Sequence, residues 1–163
     1  MTNVSAARTV ILGIDPGVTG AIGCLSTSAS APLVWDMPSN PRDLYEGLVG
    51  FHPASTLCAF VEQAQAMPKQ GVSSTFKTGY GYGVIIGVLA SLGIPYETVI
   101  PSVWKRAMGL QGKDKDASRA LARCYWPEAP LSRVKDHGRA EALLIAEYGR
   151  RKHEGYGAAE GDQ

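Results

Sequence analysis

The sequence predicts an α/β fold, a mixed five-stranded sheet flanked by helices. Short β-branched and apolar runs stand close together at the start, as in a meander, and later runs alternate with helical patterns. With 45% hydrophobic residues, the 163 residues fill one core without staples, while 19% charged residues are too few for a disordered chain. The three cysteines, Cys24, Cys58 and Cys124, are scattered and form no CxxC pair, so neither a disulfide framework nor a patterned zinc site is expected.

The elements follow in order. Residues 1–8 are polar and expected to be loose. Thr9–Ile14, TVILGI, reads as a buried strand. Asp15-Pro16-Gly17 is turn chemistry, and Ala21–Leu25 should return as a hairpin. Pro32–Met37 supplies a third strand. Asn40-Pro41 then starts a helix reaching Phe51, with an N-cap followed by proline at the first helical position. Leu57–Glu62 is a buried strand. Gly71–Leu92 reads as a helix with Ser73 or Ser74 as cap, its stripe formed by Val84, Ile85, Val88 and Leu89. Its glycines, Gly79, Gly81, Gly83 and Gly87, suit close approach of another helix. Tyr96–Ile100 is the fifth strand, and Val103–Met108 a short helix. Gln111–Lys115 is a polar loop. Asp116–Trp126 is an amphipathic helix with Leu121 and Cys124 or Tyr125 inward. A proline-containing loop leads to a strong helix at Arg139–Arg151, and residues 153–163 read as a frayed tail. The single domain spans residues 9–152.

The net charge of +1 conceals an asymmetry. Residues 1–100 carry four Lys/Arg against six Asp/Glu, and residues 101–163 carry twelve against nine. Lys105, Arg106, Lys113, Lys115 and Arg119 are concentrated in one stretch, which suits nucleic acid or a solvated helical face. Without a leader peptide or a run of 18 apolar residues, a cytoplasmic protein is expected.

Three acids stand where acids are expensive. Asp15 follows one hydrophobic strand, Glu62 ends another, and Glu141 lies among Ala140, Ala142, Leu143 and Leu144. Carboxylates brought together in a core repel, and a hard cation such as Mg²⁺ or Mn²⁺ relieves them. Each also has a plainer role: Asp15 can cap its turn, Glu62 can end a surface strand, and Glu141 can face solvent.

Gly13-Ile14-Asp15-Pro16-Gly17 with Thr19-Gly20, then Val61-Glu62-Gln63, then Ala140-Glu141-Ala142-Leu143-Leu144-Ile145-Ala146 resemble, in order and spacing, the three acidic motifs of the RuvC-type Holliday junction resolvases. The likeness runs over residues 9–150, and the Glu147-Tyr148-Gly149-Arg150-Arg151 segment looks like the phage or prophage branch. The resemblance implies an RNase H-like fold, a homodimer and a Mg²⁺- or Mn²⁺-dependent endodeoxyribonuclease with two ions per site. It implies paired nicks in four-way DNA junctions, leaving 5′ phosphates, in a bacterial or phage-infected cell. It makes Asp15, Glu62 and Glu141 metal ligands, Asp15 bridging both ions.

The family's fourth ligand stands one helical turn before the last acid, where this chain has Gly138. Asp136 and His137 are the two substitutes. His137 shares the face of Glu141, and Asp136 is usable if it precedes the helix; Asp136 can equally be an N-cap. Lys105 and Lys113 or Lys115 fall near the family's catalytic basic residues, while Lys77, Arg106 and Arg119 are expected at phosphates. An aromatic that family members can carry after the second acid is replaced by Gln65, followed by Met67; Phe76, Tyr80 and Tyr82 lie further on.

Besides a DNA-binding module that has lost catalysis because of the Gly138 departure, two other readings compete. One is a different RNase H-like nuclease, acting on RNA or flaps. The other is an actin-type ATP-binding lobe, whose phosphate loop Asp15-Pro16-Gly17-Val18-Thr19-Gly20 would satisfy, although that architecture needs two lobes.

Overall fold

The computed structural model describes residues 9–51, 56–65 and 71–160, with only the backbone for 56, 57 and 156–160. The expectations for residues 1–8, for Met67 and for residues 161–163 lie outside the described residues.

The strands are β1 (Val10–Asp15), β2 (Ala21–Ser26), β3 (Leu33–Asp36), β4 (Thr56–Glu62) and β5 (Tyr96–Val99). They form one sheet in the order β3-β2-β1-β4-β5. β1 pairs antiparallel with β2, and β2 with β3; β4 joins β1 in parallel, and β5 joins β4 in parallel. The hairpin half follows from the short turn after Asp15. The parallel half follows from the helical crossovers, which return each strand in the same direction.

The helices are α1 (Pro41–Leu48), α2 (Val72–Ser91), α3 (Pro101–Ala107), α4 (Lys115–Tyr125) and α5 (His137–Glu160), the last preceded by a 3-10 turn at Val134–Asp136. Strand alternation sorts the core into two layers. Leu12, Ile14, Ile22, Ala59 and Val61 pack with Leu44 and Leu48 of α1 and Ile85 and Leu89 of α2. Ile11, Cys58, Phe60 and Val99 face the other way, toward Trp104 of α3, Ala122 of α4 and the apolar run 142–146 of α5.

α5 lies across β1 and β2 because those strands offer it bare backbone. A Cβ on Gly13 would stand 2.1 Å from the Ala142 carbonyl oxygen, and one on Gly23 would stand 2.9 Å from the Ala142 carbonyl carbon. Glycines that permit close packing therefore stand at the contact of α5 with the sheet. On α2, a Cβ added to Gly79, Gly81, Gly83 or Gly87 would meet nothing within 4 Å.

Several local expectations shift. Asn40 caps α1 as expected, its side chain accepting from the Asp43 amide at 2.9 Å. α2 starts instead from Gly71 without a side-chain cap, and Ser73 and Ser74 lie inside its first turn. α4 turns Ser118 and Ala122 inward, with Leu121 half-buried and Cys124 and Tyr125 exposed. α5 continues to Glu160, through residues expected to fray.

Candidate active site

β1 and β4 end together. The parallel register pairs Ile14 with Val61, so the next residues, Asp15 and Glu62, stand at neighbouring strand ends. Alternation puts Asp15 on the face of Ile11 and Gly13, and Glu62 on the face of Cys58 and Phe60. α5 covers that face and brings Glu141, 8% exposed, to the same end. The site thus joins carboxyls from two strands and one helix.

Each carboxyl has a distinct partner. Asp15 Oδ1 accepts the Gly17 amide at 3.0 Å, so the turn-capping role and the site role coexist. Glu62 Oε2 accepts the indole N–H of Trp104 at 2.6 Å. Glu141 Oε1 accepts the Ser118 hydroxyl at 3.3 Å and pairs with Lys105 Nζ at 3.2 Å. Lys105 also lies 5.2 Å from the centre of the Trp104 ring.

The electrostatics are those of crowded, desolvated acids. Burial raises the pKa of Asp15, the Gly17 hydrogen bond opposes it, and Glu141 raises it further; Lys105 and His137 pull it down. Burial pushes Glu62 up to about 7, against the Trp104 hydrogen bond and with the help of Asp15 and Glu141. The three carboxyls therefore act on one another, with Lys105 as the cation among them. They do not form a closed chelate. Among the described residues, the one group of three donors with all ligand atoms within 4.8 Å is elsewhere, at Cys58, Glu97 and His153. Hard carboxylate oxygens at Asp15, Glu62 and Glu141 nonetheless suit Mg²⁺ or Mn²⁺.

The two substitutes for the fourth donor separate. Asp136 is 2% exposed and bound to Arg133, whose Nε and Nη2 donate to Oδ1 at 2.9 and 2.7 Å. The Arg133 amide donates to Oδ2 at 2.8 Å. Burial works to raise its pKa, but the Arg133 bonds prevail and hold it below the usual carboxylate range. The expected catalytic and ligand role of Asp136 thus meets a carboxyl already engaged in a local cap. His137, the first residue of α5, is half-buried and acts electrostatically on Asp15. Its Nδ1 lies 3.3 Å from the Val134 carbonyl oxygen. A proton on Nδ1 would be donated there, leaving Nε2 as a donor atom for a cation. Gly138 also has a physical reason: a Cβ there would stand 2.1 Å from the Thr19 carbonyl oxygen. An acid cannot occupy that position while α5 presses on the β1–β2 turn.

The basic residues fall into different settings. Lys115 opens α4 one turn before Ser118, on the helical face that meets Glu141. Lys113 is exposed in the preceding loop. Arg106 is exposed and bonds Gln111 at 3.1 Å. Arg119 is held by Asp116 at 3.2 Å and by the Ser132 carbonyl. Lys77 lines a cavity of about 310 Å³ with Pro16, Gly17 and Val18 of the turn after Asp15. Gln65 is exposed, as are Phe76 and Tyr80, whereas Tyr82 packs into the core.

Sequence reasoning missed Trp104 and Ser118. Trp104 is fully buried, and a buried indole requires an acceptor, which was the available signal. Ser118 gave none beyond its place on an amphipathic helix.

This five-stranded mixed sheet, with acids at the ends of its first and fourth strands, is the fold of the RNase H-like nucleases. No family model matches the chain. Over 132 residues it is 34% identical to the chloroplastic Holliday junction resolvase MOC1 of Chlamydomonas reinhardtii, covering 79% of this chain and 14% of that protein. Over 115 residues it is 30% identical to the crossover junction endodeoxyribonuclease RuvC of Nitratidesulfovibrio vulgaris, covering 63% of this chain and 68% of that one. The solved structure of Thermus thermophilus RuvC superposes with a TM-score of 0.59 at 17% identity, over 88% of this chain and 96% of that one. The same holds for that protein in complex with a Holliday junction substrate. The chain belongs to the RuvC family of crossover junction endodeoxyribonucleases. Nucleases of this family depend on divalent metal ions. The actin-type reading of the Asp15 loop is thereby set aside.

Proposed function

We propose that this protein resolves four-way DNA junctions by hydrolysing phosphodiester bonds, using Asp15, Glu62, Glu141 and His137 to hold two divalent ions, Mg²⁺ or Mn²⁺. The observation that carries the reading is the meeting of carboxyls from β1, β4 and α5 around one lysine, with burial and the neighbouring acids raising Asp15 and Glu62. Bound there, such ions would make a water acidic enough to attack phosphorus and would offset charge on the departing 3′ oxygen.

The chain's own residues prepare that chemistry. The Gly17 amide fixes the Asp15 carboxyl, Trp104 fixes Glu62, and Ser118 fixes Glu141. These contacts limit rotamer freedom before substrate arrives. Lys105, paired with Glu141, is able to exchange that partner for a phosphate oxygen and to offset charge on the pentacovalent phosphorus. Lys115 enters from the α4 side, and Lys113 and Arg106 extend the basic surface. Lys77 adds charge beside the Asp15 turn.

The likeness to a Holliday junction resolvase and a crossover junction endodeoxyribonuclease, and to Thermus thermophilus RuvC in complex with a junction, supports branched DNA as substrate. A homodimer acting on two strands would leave paired 5′-phosphate nicks. The exposed face of α2, with Phe76 and Tyr80, is the surface assigned to that dimer. No helix among the described residues is long and apolar enough to cross a membrane.

The test is a synthetic four-way junction incubated with the protein and Mg²⁺, alongside flap and RNA substrates. Symmetric, ligatable nicks in the junction are expected. Asp15→Asn should abolish cleavage, by roughly 10³-fold or more on the scale of a lost transition-state group, and retain junction binding in a mobility assay. Wild-type cleavage by that variant would overturn the site.

A further inference from the structure

A second cluster of donor atoms lies on the same face of the sheet, toward its other end. Cys58 is on β4, Glu97 on β5 and His153 on α5, and one donor atom from each lies within 4.8 Å of the others. The β4–β5 register, which pairs Phe60 with Glu97, brings the two strand residues close. Cys58 precedes Glu62 by four residues on one strand, roughly 13 Å at the usual rise, so the cluster is separate from the candidate active site.

His153 supplies the second observation. Its Nε2 is buried and has no hydrogen-bond partner. A buried polar atom without a partner costs about 1–3 kcal/mol, so it calls for an explanation. The ring is held edge-on against Phe60 at a centroid distance of 5.8 Å.

We infer that Cys58, Glu97 and His153 form a binding site for a transition-metal ion, Zn²⁺ by preference, that ties the C-terminal half of α5 to β4 and β5. The donor set is one sulfur, one nitrogen and one oxygen, which matches Zn²⁺ and not the hard Mg²⁺ suited to the carboxylates. Three protein ligands leave the fourth tetrahedral position for water. Bond lengths of about 2.0–2.3 Å put such donors roughly 3.5 Å apart, so little closure is needed. On binding, the Cys58 thiol gives its proton to solvent and the sulfur's electron pair goes to the metal. Glu97, which pairs with Lys152, turns one carboxylate oxygen to the ion. The ion's role is that of a staple: it fastens the helix that carries His137 and Glu141 at its opposite end.

Co²⁺ added to the full chain tests this, since a cobalt–thiolate bond gives a near-ultraviolet charge-transfer band that carboxylates cannot give. The wild type should show the band, Asp15→Asn should keep it, and Cys58→Ser should lose it. His153→Gln should weaken cobalt binding at least tenfold while retaining Mg²⁺-dependent junction cleavage. Zn²⁺ should raise the unfolding midpoint of the wild type and leave that of Cys58→Ser unchanged. Absence of the band from the folded wild type, or its persistence in Cys58→Ser, overturns the proposal. Cleavage that survives His153→Gln but fails in Asp15→Asn keeps the two sites distinct whichever way the cobalt result falls.

Discussion

Glu62 is costly in the charged form. Its pKa in the folded protein is about 7, against 4.5 ordinarily, so the folded state keeps a proton that the unfolded chain releases in between. Stability contributed by that proton is present below pH 4.5 and is lost as pH rises to about 7. Glu62→Gln should therefore be more stable than the wild type at about pH 8 without divalent ions, by about 1–3 kcal/mol, and equal to it near the ordinary carboxyl pKa. Urea unfolding at the two pH values checks this, and the same variant should not cleave. At the proposed fourth donor, His137→Ala should lower Mg²⁺-dependent cleavage at least tenfold, with His137→Asp recovering part of it; single-turnover rates across a Mg²⁺ titration measure both. Asp15, Glu62 and Glu141 were legible in the sequence because acids ending or interrupting apolar runs are anomalous. Their orienting partners were not. Trp104 meets Glu62 across 42 residues and Ser118 meets Glu141 across 23, and no local pattern encodes such pairings. The engagement of Asp136 by Arg133 was equally hidden, because it turns on the rotamer of Arg133.

At the scale of elements, period and turn chemistry carried the reading. The five strands lie within a few residues of their expected places because β-branched runs end at Pro, Gly and Asp. Failures occurred where a residue's polarity misstates its neighbours. Ser118 points inward in α4 because Glu141 receives its hydroxyl, and Cys124 is left outside. α5 keeps its hydrogen-bonded backbone through Gly155 despite the propensity cost. The glycines of α2 suggested a packed helix pair, yet tight contacts are found instead at Gly13 and Gly23, which read as ordinary strand residues, and at Gly138 and Gly149 of α5. A paired experiment separates the two kinds. Gly13→Ala forces a methyl into the α5 backbone and should cost at least ~3 kcal/mol. Gly81→Ala, off the face assigned to the dimer, fills open space in a helix and should gain about 0.5–1 kcal/mol. Thermal unfolding should show a fall of roughly 10 °C for the first and a rise of about 2–4 °C for the second.

Over the whole molecule, Lys105 pairs with Glu141 and Lys77 stands beside the Asp15 turn, so association and catalysis draw on the same region. Lys113→Ala and Lys115→Ala should each reduce the slope of log binding against log salt by about one, with little change in preference among junction sequences. Arg119→Ala should have a smaller effect, since Asp116 already occupies its guanidinium. Junction binding across a salt series measures all three. The seating of α5 directly on strand backbone has an evolutionary consequence. A lineage that abandoned nuclease chemistry and kept only its grip on DNA would be free to replace every acid. It could not easily replace the glycines at 13, 23 and 138. In such descendants, bare positions where the helix meets the strands and their turn would be the mark of ancestry that outlives the reaction.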